Sequence, residues 1–124
     1  MTDKIFDDSF FRQSLPGMRT SILGMDVVFT TATGGLLLED KTRGVFLAYD
    51  SSRGYFQECG VLWDFVKEDF TNPFFQREMF NPEPYRELQK YGANISRRSV
   101  LVGGEVLPAQ THFGRIEWDK VGIL

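Results

Sequence analysis

The sequence predicts a mainly β, α+β fold: a small antiparallel barrel or sandwich carrying an N-terminal helix and a short helical insertion. Three observations predict it. From Gly24 onward apolar residues alternate with polar ones and β-branched residues are enriched, which is the period-two signature of strands. Turn clusters recur at Thr33-Gly34-Gly35-Leu36, Asp40-Lys41-Thr42-Arg43-Gly44 and Asp50-Ser51-Ser52-Arg53-Gly54, spaced as in a meander. Helical spacing appears in two stretches only, one ahead of the strands and one in the middle of the chain. A length of 124 residues suits a single domain, 1–124, with one core.

Over residues 3–15, Ile5, Phe6 and Phe10 fall on one helical face and Phe11 on another, and Pro16-Gly17 supplies the stop. This segment reads as a cap on the core or an arm for a neighbour, and its removal is expected to leave the barrel folded. Strands follow over about 24–63. Met25, Val27 and Phe29 begin the first, and Gly34-Gly35 offers the two-residue turn that a primed hairpin needs, because both central positions take positive φ. Within the insertion, 64–92, Asn81-Pro82-Glu83 is a helix start. Asn81 caps free amides, Pro82 suits the first helical position and Glu83 suits the positive end of the dipole. Tyr85, Leu88 and Tyr91 then mark the buried face up to Gly92. Strands resume over about 98–121, with a hairpin at Gly103-Gly104 and a last strand holding Phe113, Ile116 and Trp118. Closure into a barrel or sandwich would hide apolar faces and edges that an open meander exposes.

Composition narrows the function classes. A net charge of −3 and a pI near 5.1 give no basic footprint for a polyanion, so general nucleic-acid binding is disfavoured. No apolar run is long enough to span a bilayer, and neither a signal core nor a membrane role is expected. Cys59 is the one cysteine and His112 the one histidine, too few ligands for structural zinc; no metal or cofactor is expected. A Cys59–His112 nucleophile pair is formally available, but Cys59 sits in a strand pattern where a packed thiol is the ordinary reading. The carboxylates Asp7, Asp8, Glu39, Asp40, Asp64, Glu68, Asp69 and Glu83 fall at turns and helix starts, positions that suit capping better than paired acid–base work. Arg43, Arg53, Arg97 and Arg98 lie at turns or strand starts, where solvation is the usual state.

Aromatic residues are the anomaly, with twelve Phe in the chain. Phe65, Phe70, Phe74, Phe75, Phe80 and Tyr85 gather in the insertion, either as a second small core under a long connection or as an anchor surface for a partner. The candidate interface residues are therefore Phe6, Phe10, Phe11, Phe70, Phe74, Phe75, Phe80 and Tyr85.

The order of a short helix up to Leu15, a Thr-rich strand from Val27 to Thr33, Thr42-Arg43-Gly44-Val45-Phe46 followed by Asp50, and Arg98-Ser99-Val100-Leu101-Val102 resembles the lambda-like head-to-tail joining proteins of tailed bacteriophages, the head-closure or neck family. The match covers about half the chain. Residues 64–91 are more helical and aromatic than that family's pattern, and the strands after Leu107 match it poorly. The resemblance implies a β-barrel repeated around an oligomeric ring, a non-enzymatic virion structural protein made in the host cytoplasm. It implies portal, adaptor and tail proteins as partners, with the N-terminal helix and the Phe-rich segment as inter-subunit anchors. The alternative from another class is a small cytoplasmic immunity or anti-defence inhibitor binding a toxin or nuclease. Such a protein wants a dense acidic patch, whereas fourteen Lys and Arg are dispersed among the acids here.

Overall fold

Continuous apolar runs, rather than strict alternation, decide the architecture. Leu36-Leu37-Leu38 and Val45-Phe46-Leu47-Ala48-Tyr49 carry large side chains toward both faces of their strands, and such strands must be covered on both sides. In the computed structural model, which describes residues 10–12, 15, 17–58, 79–90 and 95–124, both runs are buried throughout. They form β4 (Leu36–Asp40) and β5 (Val45–Asp50) at the centre of a seven-stranded sheet. Outward from β4 comes β3 (Met25–Thr31), whose far edge carries two short strands, β1 (Phe11–Arg12) beside Thr30 and Thr31 and β2 (Ser21–Ile22) beside Met25 and Asp26. Outward from β5 come β6 (Tyr55–Glu58) and, parallel to it, the edge strand β9 (Gly122–Ile123). The remaining pairs of this sheet are antiparallel, and among the described residues the sheet stays open rather than closing into a barrel.

Each face of the sheet has its own core. On one face Phe29, Leu37, Phe46 and Ala48 pack with Phe10, Phe80 and the helix α1 (Pro82–Lys90), which contributes Tyr85 and Leu88. On the other, Leu36, Leu38, Leu47, Tyr49 and Phe56 pack with Ile22, with α2 (Ala109–Arg115) through Ala109 and Phe113, and with Trp118 in a 3-10 turn (Trp118–Lys120). A bulge at Val28 makes the two-sided burial workable on β3: Val27 opposes Leu38 and Phe29 opposes Leu37, so residues two apart serve opposite faces. The described aromatic residues are thus divided between two cores, one on each face of the sheet.

A separate ribbon of β7 (Ser99–Val102) and β8 (Glu105–Pro108) crosses the end of the sheet. Gly103 and Gly104 both take positive φ, 59° and 80°, the geometry expected of a primed two-residue turn. The ribbon is tied down by Leu101 N–H donating to the Ala32 carbonyl at 2.8 Å and by the Arg12 guanidinium donating to the Ser99 carbonyl. Val100 enters one core and Leu101 the other.

Three expectations need correction, and a fourth falls partly outside the described residues. The helix over 3–15 gives way at Phe11–Arg12 to a strand, because Ala32 N–H donates to the Phe10 carbonyl and draws the backbone into the sheet; residues 1–9, 13, 14 and 16 lie outside the described set. The Gly34-Gly35 hairpin is not a two-residue turn. Thr31 N–H reaches the Gly35 carbonyl across a four-residue loop, and of the two glycines only Gly34 has positive φ. The expected last strand over 111–121 is α2 and the 3-10 turn instead, since Ala109, His112 and Phe113 share one helical face. The expected strand up to Trp63 is described only to Glu58, and residues 59–78 and 91–94, including Tyr91 and Gly92, lie outside the described set.

The helix start at Asn81 forms as expected. Its Oδ1 accepts the Glu83 N–H at 3.1 Å and α1 begins at Pro82. Asn81→Ala is expected to cost about 1 kcal/mol, read as a shift of the urea midpoint at unchanged slope.

Candidate interaction surface

Among the described residues, several polar side chains that could support chemistry are occupied in holding the scaffold. Asp50, buried at the end of β5, accepts the Ser52 N–H at 3.1 Å, the Ser52 hydroxyl at 2.8 Å and the Asn81 N–H at 3.2 Å, with the Arg53 Nε 3.6 Å away. It joins the β5–β6 turn to the start of α1. Ser51 donates to the Thr33 carbonyl at 2.6 Å, and Thr31 Oγ1 accepts the Gly35 N–H at 2.8 Å, so the buried Thr-Gly loop is satisfied from within. Asp40 caps its own turn by accepting the Thr42 and Arg43 N–H groups, as expected of a turn carboxylate. Among the described residues no group of three or more His, Cys, Asp or Glu side chains is placed to hold a metal ion.

His112 is buried on α2, with Nε2 3.0 Å from the Gly34 carbonyl; since a carbonyl only accepts, Nε2 carries the proton. Its Cys59 counterpart in the formal nucleophile pair lies outside the described residues. Burial lowers the His112 pKa below its ordinary 6.5; the Gly34 hydrogen bond opposes that shift and the nearby Arg115 charge adds to it. The unfolded chain therefore binds this proton more readily than the folded one. Stability from neutral His112 is complete above pH 6.5 and is lost as pH falls through the lower folded value. His112→Gln keeps a donor for the carbonyl and is expected to flatten the dependence of the unfolding midpoint between about pH 8 and pH 5.

The expected interface aromatics are placed differently from the sequence reading. Phe10, Phe80 and Tyr85 are core residues, and Phe11 packs half-buried against them. Phe10 makes edge-on contacts with Phe11 at 4.7 Å, Tyr85 at 5.2 Å and Phe80 at 6.1 Å, geometry typical of a packed interior. They are not surface anchors, because they close the α1 face of the sheet. Phe6, Phe70, Phe74 and Phe75 lie outside the described residues. The arginines are also partly engaged. Arg43 bonds Glu58 at 3.2 Å and Arg53 bonds Gln57 at 3.2 Å.

What the described surface offers instead is exposed apolar edges and a basic groove. Val106 on β8 is 54% exposed, Ile123 on β9 is 55% exposed and Leu124, just past β9, is 75% exposed; among the described residues β8 and β9 each pair on one side only. Between Leu15, residues 17–19 and α2 run two adjoining cavities of about 390 and 200 Å³. Met18 and Gln110 line both, Phe113 and Trp118 form the floor of the smaller one, and Arg98 and Arg19 stand at the rims. Among the described residues no acidic side chain lines either cavity. Sequence reading missed this groove because Arg19 and Gln110 carry no motif and meet only through the fold. Among the described residues no helix is long and apolar enough to cross a membrane. Comparison with known protein families, characterised proteins and solved structures yields no match to this chain.

Proposed function

We propose that the chain is a non-enzymatic assembly protein, a phage neck component of the head-to-tail joining class that binds neighbouring virion proteins around a ring. The observation that supports this reading is the pair of strands β8 and β9, each paired on one side only among the described residues, with exposed Val106, Ile123 and the adjoining Leu124. An edge backbone flanked by exposed apolar side chains is a template for a strand from another protein. Engagement of Asp50 and His112 in scaffold contacts agrees with a binding role. The order of motifs that resembles the joining proteins supplies the specific class, with portal or adaptor proteins on one side and tail proteins on the other.

Genetic removal tests it. A phage lacking the chain is expected to accumulate filled heads and free tails that join when the purified protein is added back. Normal tail attachment without the protein would overturn the assignment, as would stoichiometric capture of a toxin or nuclease, which belongs to the inhibitor class.

A further inference from the structure

Leu23 carries two independent costs. It occupies the tip of the β2–β3 hairpin at φ 54°, followed by Gly24 at φ 76°, a primed turn whose first position suits Asn, Asp or Gly. A leucine there is strained by its Cβ, and no burial compensates, since the side chain is 53% exposed. Strain and an exposed apolar side chain at one residue are the marks of a group kept for contact.

Charge indicates what it contacts. Beside the tip, Asp26 and Glu39 face each other across β3 and β4, with Lys41 2.9 Å from Asp26. The hydrogen bond to Asp26 and the charges of Asp26 and Glu39 raise the Lys41 pKa, as expected of a locally acidic surface. The groove beside α2 has the opposite character, an apolar floor rimmed by Arg19 and Arg98 with no acid among its described lining residues. One chain therefore carries both an acidic apolar knob and a basic apolar socket.

We propose that these are the two halves of a self-association contact: Leu23 of one copy seats in the groove of a second copy, with Asp26 and Glu39 facing that copy's Arg19 and Arg98. Because the knob and socket both involve the segment 17–26, the contact can be reciprocal, with each copy giving a knob and receiving one. This goes beyond the joining role and does not depend on it.

Sedimentation velocity on the full chain, from about micromolar to about millimolar protein, tests it. The wild-type mass is expected to rise with concentration and to fall back at high salt. Leu23→Asn and Leu23→Gly both relieve the backbone strain, so each is expected to melt no lower than wild type while self-association weakens by more than about thirtyfold. Arg19→Asp is expected to weaken association, and adding Asp26→Arg to the same chain to restore it. A wild-type chain that stays monomeric throughout overturns the proposal. So does either Leu23 variant associating as tightly as wild type, and a Leu23→Gly chain that melts well below wild type would assign the residue to the fold. Failure of the double charge swap to restore association overturns the pairing of knob with socket.

Discussion

Phe10→Ala is expected to destabilise the protein by about 3–5 kcal/mol, a large part of the total stability of a domain this size. The ring is fully buried and lies against Phe11, Tyr85 and Phe80, so its loss opens a cavity at the meeting point of β1, α1 and the sheet. Surrounding side chains come from three separate elements and cannot all collapse inward together, which puts the cost toward the upper end of the range. The measurement is denaturant unfolding followed by far-UV circular dichroism, with a lowered midpoint at unchanged slope as the expected result. The same geometry argues against the expectation that removing residues 1–16 leaves the remainder folded. That cut takes away Phe10, its carbonyl bond to Ala32, and β1 with Arg12, the donor to Ser99 in the ribbon.

The second large effect is expected at the buried glycine loop. An alanine Cβ at Gly34 would lie 2.6 Å from His112 Nε2 and 2.8 Å from Val102 Cγ2, and the φ of 83° is itself unfavourable for alanine. Backbone strain of about 1–2 kcal/mol and overpacking of about 1–3 kcal/mol act together there. At Gly35 the added carbon would meet the Tyr49 carbonyl oxygen at 2.4 Å, a backbone atom in the central strand that cannot swing aside. Gly44 is the internal control. It has φ 68° but open space around it, so Gly44→Ala carries the backbone cost alone. Thermal melts of the three variants should therefore rank Gly44→Ala well above Gly34→Ala and Gly35→Ala. Equal melting temperatures would show that the loop yields.

Particular elements explain what the sequence made legible and what it did not. The turn at Gly103-Gly104 and the helix start at Asn81-Pro82-Glu83 are written in a few adjacent residues, and both form as expected. The strands β3 to β6 were equally local, each bounded by its own turn cluster. Whether the sheet closes is not local, because it depends on helices covering each face, and Leu36-Leu37-Leu38 reads the same in a barrel wall as in a sheet buried on both sides. The segment after Leu107 was misread because Phe113, Ile116 and Trp118 look like strand residues until Ala109 and His112 are counted with Phe113 on a helical face. The interface was the least legible part. Aromatic bulk pointed to Phe10, Phe80 and Tyr85, which the interior claims, whereas Leu23 draws attention only once its backbone angle and exposure are known together.

The ribbon strand β7 has a kinetic consequence. Val100 and Leu101 are neighbours in the chain but finish opposite sides of the sheet, and Leu101 does so through a hydrogen bond to Ala32. Neither hydrophobic layer can reach its final packing until a segment nearly seventy residues downstream of that acceptor has arrived. Such long-range closure is slow compared with local hairpin formation, so the contacts of β7 are expected to be among the last to form, and Leu101→Ala is expected to speed unfolding more than it slows folding in stopped-flow measurements.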